Sequence, residues 1–342
     1  MHELHPGVQD FACETFLRIS LKCGEQFVIV NDEETEPYIN VLTRTIQDNT
    51  NDLKVHQRLM FYEAVGNMIF FEKDGNKQAY LVNQMMNSVF NDWASIYQQA
   101  VNDPSLLLNP QVVKSLDFFL KVNERVAASV KTYYYLFAEN ILGKILETYI
   151  YFTSTINQIY QLNQQNSNQI NTKLMKTIKK STLKYITTLI NNVDNNEILM
   201  VKLLPQLSIL IKQYKLSCTE NRDSDVLTVF TAMLDKLKNL PYELVESIWN
   251  HLCIHTLTMI QNDYLSYPEH RLGFFELLKS LIVNDFKAIF KIQDEMFNKH
   301  VINAILWSFK HSQHNIAEIG LETLIKLLNV SKNYNMKIIK IL

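Results

Sequence analysis

The sequence predicts an all-α chain of helices stacked in series. About thirteen amphipathic stretches follow one another with short polar breaks, and no strand-like alternation of any length interrupts them. Only seven Gly and seven Pro occur in 342 residues, whereas sheet folds need many glycine-bearing turns. A hydrophobic fraction of 47% is enough to bury a large core at this length.

The predicted helices span 7–23, 36–50, 54–71, 77–102, 109–130, 133–164, 171–191, 196–216, 223–239, 241–263, 268–283, 293–311 and 313–330. The fifth shows the pattern: Val112, Leu116, Phe119, Leu120, Val126, Ala127 and Val130 recur at helical spacing, with Lys114, Asp117, Lys121 and Glu124 elsewhere. Asn109 suits its N-cap, and Pro110 at the first helical position forfeits no bond, because that N–H has no partner in a helix anyway. Pro37, Pro241 and Pro268 mark three further starts in the same way. In the last helix Ala317, Gly320, Leu321, Leu324 and Leu328 form one stripe, with Gly320 allowing a close neighbour.

After the leading helix the stretches pair off, with pairs starting at 36, 77, 133, 196, 241 and 293. The shortest spacings, 36 to 77 and 196 to 241, match a HEAT repeat of about 40–47 residues. The expectation is an α-α superhelix of HEAT repeats, a solenoid of about six pairs plus the leading helix, running over 1–342 as one segment. A polar insert at 157–171, where 10 of 15 residues are Asn or Gln, reads as a solvated loop or helix end. Neither end carries a polar capping repeat, so the chain reads as cut from a longer array and its isolated ends as adhesive.

Charge is nearly balanced, 33 Lys plus Arg against 35 Asp plus Glu, so bulk attraction to nucleic acid is not expected. Cys13, Cys23, Cys218 and Cys253 form no C-x-x-C pair, which indicates neither a zinc knuckle nor a disulfide framework and reads as reduced intracellular thiols. No secretory signal is legible at the start. The most apolar window, 132–152, contains Glu139, Lys144 and Glu147, too much charge for a membrane span.

Chemistry is sparse. His251 and His255 stand at metal-ligand spacing around Cys253, but the segment lacks the glutamate of a zinc protease helix and an evident third ligand, so it reads as an ordinary helix face. His311, His314 and Glu318 are better explained by turn chemistry and capping. No phosphate cradle and no strained serine elbow occurs, so no catalytic residue, cofactor or metal is assigned. Lys173, Lys176, Lys180 and Lys184 fall at three- and four-residue steps on one helix face, beside Lys179. That stripe reads either as a solvated helix side or as a docking face for an acidic partner. Trp93, Trp249, Trp307, Phe274, Phe275 and Tyr133 to Tyr135 read chiefly as interhelix packing.

Six blocks, in order, resemble the exportin-1 family of nuclear export receptors, within the importin-β-like karyopherins. Gly7 to Cys13 is similar to its G-V-Q-D-M-A-C, Phe61 to Ile69 to F-Y-E-A-V-G-x-M-I, Trp93 to Ala100 to W-D-S-I-I-Q-Q-A, and Met175 to Ile186 to M-R-T-V-K-R-E-T-L-K-L-I. Thr256 to Ile260 with Tyr267 to Arg271, then Trp307 to His311, are the most distinctive. The resemblance covers about residues 1–330 and implies later HEAT repeats of a non-catalytic receptor that shuttles between nucleus and cytoplasm. The partners it implies are Ran in its GTP form, cargo bearing leucine-rich export signals, and Phe-Gly nucleoporins, without membrane insertion. It also places most of the signal-binding groove before this segment, leaving Phe11, where the family has methionine, as a groove-rim position; Cys13 and Cys23 are not the family's reactive cysteine. On architecture alone the alternative is a general HEAT scaffold, such as a phosphatase or assembly platform.

Overall fold

The computed structural model describes residues 6–30, 35–162, 169–262, 266–292, 302–309, 311 and 313–333. Every regular element among them is helical, and no described helix is long and apolar enough to cross a membrane. The chain divides into two compact units, residues 1–195 and 196–342.

The first unit contains α1 (Pro6–Cys23), α2 (Tyr38–Arg44), α3 (Ile46–Thr50), α4 (Val55–Ile69), α5 (Gly75–Asn102), α6 (Pro110–Val130), α7 (Tyr135–Ala138), α8 (Leu142–Gln161) and α9 (Gln169–Asn192). Its most extensive contacts join α1 to α4, α4 to α6 and α6 to α9, a row in which each helix packs on the next. α2, α5 and α8 flank that row. The second unit contains α10 (Leu204–Leu216), α11 (Asp225–Lys236), α12 (Tyr242–Ile248), α13 (Ile254–Asn262), α14 (Pro268–Asn284), α15 (Phe286–Lys291), α16 (Ile302–Ser308) and α17 (His314–Asn333). There α11, α14 and α17 form the row. This alternation of row and flanking helices within each unit is helical-repeat stacking, the fold class that the periodicity predicts.

Local signals explain the starts. The Asn109 side chain accepts the Gln111 N–H at 2.9 Å with Pro110 in the first turn, and Asp74 caps α5 through the N–H groups of Asn76 and Lys77. Pro268 opens α14 as expected, while Pro37 and Pro241 each stand one residue earlier, as the N-cap.

Four expected helices depart from a single α-helix. The stretch 36–50 breaks at Thr45, whose hydroxyl donates to the Val41 carbonyl at 2.9 Å. The stretch 133–164 breaks at 139–141, between α7 and α8. The stretch 196–216 opens as a π-helix over Ile198–Leu203; Pro205 follows within a turn, and the wider turn accommodates a residue that cannot donate and would clash with a carbonyl four residues back. A second π turn spans Trp249–Cys253, with no proline to explain it. Helix reaches Gln161 and resumes at Gln169, so both ends of the Asn/Gln tract are helical, and 163–168 lie outside the described residues, as do 293–301.

Packing also corrects the stripe on α17. Leu321 is 48% exposed, whereas Ile316, Thr323 and Leu327 are buried. Thr323 tolerates burial because its hydroxyl donates to the Ile319 carbonyl at 2.6 Å. Gly320 does permit close approach: a Cβ there would lie 1.9 Å from Ser308 Oγ. In the first unit a buried polar chain links α6 to α9, with Asn123 Nδ2 donating to the Phe119 carbonyl at 2.6 Å, the Tyr134 hydroxyl donating to Asn123 Oδ1, and the Tyr134 and Tyr185 hydroxyls 3.5 Å apart.

Asp285 ties the end of α11 to the start of α15. Its Oδ1 accepts the Leu240 N–H at 2.6 Å, its Oδ2 is buried without a partner, and burial raises its pKa. A carboxyl whose folded-state pKa lies above its unfolded value favours folding while protonated, and that contribution is lost as pH rises from about 4 through the raised value. Asp285→Asn is therefore expected to flatten this part of the pH–stability profile. Asp285→Ala, which strands the Leu240 N–H, is expected to cost about 1–3 kcal/mol. Thermal melts of the three chains from pH 4 to 8 check both, and an unchanged profile in Asp285→Asn refutes the assignment.

Candidate docking surface

The row α1, α4, α6, α9 is stitched across its seams by polar contacts. Asp10 Oδ1 on α1 lies 2.8 Å from His56 Nε2 and accepts from Gln57 Nε2 at 2.7 Å; these bonds hold the Asp10 carboxyl below the usual range. Glu63 on α4 meets Arg125 on α6 at 2.6 Å. Asp117 on α6 accepts from the Ser181 hydroxyl at 2.6 Å and pairs with Lys121 at 2.6 Å. Glu124 pairs with Lys184 at 3.0 Å. Such exposed pairs are worth only about 0–1 kcal/mol each, so their chief effect is to orient charge. In these three ion pairs the carboxylates retain 16–25% of their side-chain exposure and the cations 43–67%. A partner approaching α6 and α9 meets cations first.

Lys173, Lys180 and Lys184 are exposed on α9. Lys176 is half-buried, with Nζ 3.2 Å from the Tyr160 hydroxyl and 5.3 Å above that ring. Among the described residues Lys173 and Lys180 form no ion pair. Lys179 is fully buried, its Nζ 5.3 Å over the Tyr149 ring, which separates it from the other four. Lys121 and Arg125 extend the cationic face onto α6, and nothing in the linear sequence signals this, because the two helices meet across more than 50 residues. Phe11 is 69% exposed on α1, beside exposed Val8.

The flanking helices leave apolar clefts. One of about 170 Å³ lies between α5 and α8, walled by Trp93, Tyr97, Val101, Leu107 and Tyr151; its carboxylate, Glu147, accepts the Tyr97 hydroxyl, a bond that pushes that phenol up to about 12. Another of about 240 Å³ lies between α13 and α16, walled by Leu257, Ile260, Ala304 and Trp307. Phe274, Phe275, Tyr134, Tyr135 and Trp249 are buried, as packing requires, while Tyr133 is 45% exposed.

The histidine clusters are structural in geometry. Burial lowers the pKa of His251 and His255, His255 Nδ1 lies 3.1 Å from the Asn250 carbonyl, and Cys253 is buried with its thiol pushed well up. The Gln313 N–H donates to His311 Nδ1 at 3.0 Å, a turn cap. Among the described residues no group of three or more His, Cys, Asp or Glu is placed to hold a metal. His270, in the Tyr267 to Arg271 block, is buried with Nε2 3.1 Å from the Arg222 carbonyl, so this block anchors a corner of the second unit.

These surfaces define a helical-repeat protein whose candidate sites are faces and clefts. The family model described as CRM1 C terminal matches residues 136–341. "Protein EXPORTIN 1B" of Arabidopsis thaliana is 33% identical over 330 residues, covering 96% of this chain and 31% of that protein. "Exportin-1" of Dictyostelium discoideum is 34% identical over 335 residues, covering 97% and 31%, and "Exportin-1" of Schizosaccharomyces pombe is 34% identical over 332 residues, covering 96% and 31%. The chain belongs to the exportin-1 family, and it spans about a third of the length of the curated relatives it matches.

Proposed function

We propose that this chain serves as a segment of a nuclear export receptor and that its α6–α9 face contributes to docking Ran in its GTP form. Family membership supports the receptor reading, and the outward cations above recessed carboxylates carry the docking reading. Cargo with a leucine-rich export signal binds together with Ran to the receptor as a whole, Phe11 contributing at the edge of the signal-binding groove. The clefts at Trp93 and Trp307 take aromatic side chains of Phe-Gly nucleoporins, a use suited to their size and apolar walls. The receptor shuttles between nucleus and cytoplasm and performs no catalysis.

Lys173→Glu with Lys180→Glu tests the docking face without breaking an internal ion pair. In a receptor joining this chain to the missing repeats, affinity for GTP-locked Ran in the presence of a leucine-rich signal peptide is expected to fall about tenfold at low salt, with the gap narrowing as salt rises. Equal affinity of parent and variant at every ionic strength refutes the face; absence of any ternary complex with the parent refutes the receptor reading. The general scaffold alternative has the same architecture but no counterpart to the family match.

A further inference from the structure

A third cavity, of about 330 Å³, opens among α4, α5 and α6, and its lining is of a different kind. Val89, Trp93, Ile96 and Phe119 supply apolar walls, while Arg58 and Lys114 stand on it from two different helices. Arg58 is held by stacking, its guanidinium carbon 4.3 Å from the centroid of the Phe118 ring. Among the described residues it forms no ion pair; its side chain donates a hydrogen bond to the Tyr62 hydroxyl, and its Nε is closed to solvent without a partner of its own. Lys114 is exposed and likewise forms no ion pair among the described residues. Asp92 is the only acid on the lining, so two cations face one carboxylate. The first turn of α6, which bears Gln111 and is followed directly by Lys114, adds the positive end of a 21-residue helix dipole.

We propose that this cavity is a docking site for a peptide of alternating apolar and acidic residues, an apolar side chain entering between Val89, Ile96 and Trp93 while the next carboxylate accepts from Arg58 and pairs with Lys114. The apolar walls select such a peptide over a bare anion, since an anion alone leaves them wet, and the excess of cations over carboxylates on the lining selects it over a neutral apolar peptide. Arg58 suits the task because a guanidinium stacked on an aromatic ring is already oriented for a carboxylate. This site is separate from the lysine face on α9 and does not depend on the identity of the receptor's partners.

The experiment titrates the isotope-labelled full chain with acetyl-Leu-Glu-Leu-Glu-amide, following the Arg58 Nε–Hε signal by NMR, which reports on this cavity rather than on the cleft it shares Trp93 with. The expected result is a saturable shift at millimolar concentration that weakens with salt. Acetyl-Leu-Gln-Leu-Gln-amide is expected to bind about tenfold more weakly, the scale of one charge-assisted hydrogen bond. Lys114→Gln, on an exposed side chain, is expected to weaken the acidic peptide with the fold intact; Arg58→Gln, followed through the Trp93 indole N–H, is expected to weaken it further. The proposal is overturned if Arg58 does not shift, if the Gln peptide binds as well, if inorganic phosphate alone saturates the same signals with equal affinity, or if Lys114→Gln binds like the parent. Failure here would leave the Ran test on Lys173 and Lys180 untouched, and the reverse holds equally.

Discussion

Replacing Trp93 with alanine is expected to remove most of the stability of the first unit. Trp93 is 3% exposed and lies parallel to Phe119 at 4.7 Å, with Tyr97 at 5.7 Å and Phe90 at 5.8 Å. It therefore joins α5 to α6 and walls both the α5–α8 cleft and the cavity at Arg58. Truncating a buried tryptophan costs about 3–5 kcal/mol through lost burial and the void it leaves, and each aromatic pair adds about 0.5–1.5 kcal/mol. Against a domain stability of about 5–15 kcal/mol, the loss approaches the whole. Denaturant melts combined with limited proteolysis check it, cleavage within 1–195 being expected to precede cleavage within 196–342. Trp93→Phe, which keeps the stack on Phe119, is expected to recover much of the difference. An alanine variant that loses less than about 1 kcal/mol would be too stable for a position that holds two helices together.

Gly66→Val is expected to be almost as damaging, for the opposite reason. Gly66 sits within α4 where α6 passes, and a Cβ at this position would lie 2.0 Å from Ser129 Oγ and 3.0 Å from Ser129 Cβ. Helix propensity alone favours replacing a helical glycine, by about 1 kcal/mol for alanine. Steric conflict decides otherwise: overpacking costs about 1–3 kcal/mol and more when backbones must separate, and valine adds two further carbons where one does not fit. A loss of about 3 kcal/mol is expected, with Gly66→Ala intermediate. Pairing Gly66→Ala with Ser129→Gly isolates the contact, because the double variant should be more stable than the sum of the two single changes predicts. Strict additivity would show that Ser129 is not the obstacle.

These two positions also show how much the sequence discloses. Trp93 is legible as an apolar residue on a helical face, with Tyr97 its neighbour four residues on, and its block resembles the family's, but its partner Phe119 is not, since it lies on another helix. Gly66 lies inside a family-like block, yet only the approach of α6 explains why a side chain is excluded. The lysine stripe is visible as spacing. That Lys179 turns inward onto Tyr149 while Lys121 and Arg125 join the stripe from α6 is set by which helices meet. The same holds for α17, where the sequence ranks Leu321 above Thr323 for burial and the packing reverses them, because a threonine hydroxyl bonded to its own helix carries little residual polarity.

The order of the helical stretches, the helix starts at Asn109 and Pro268, the helical-repeat class and the family were determined by the sequence itself. All of these rest on short-range periodicity, on local capping, or on ordered blocks of residues, and each is complete within a few turns of chain. The tertiary structure alone decided which cations face outward and that Arg58 and Lys114 share one cavity. Those features depend on side chains up to 64 residues apart, as Asp117 and Ser181 are, and a repeat array brings such residues together only through the stacking of one helix on the next.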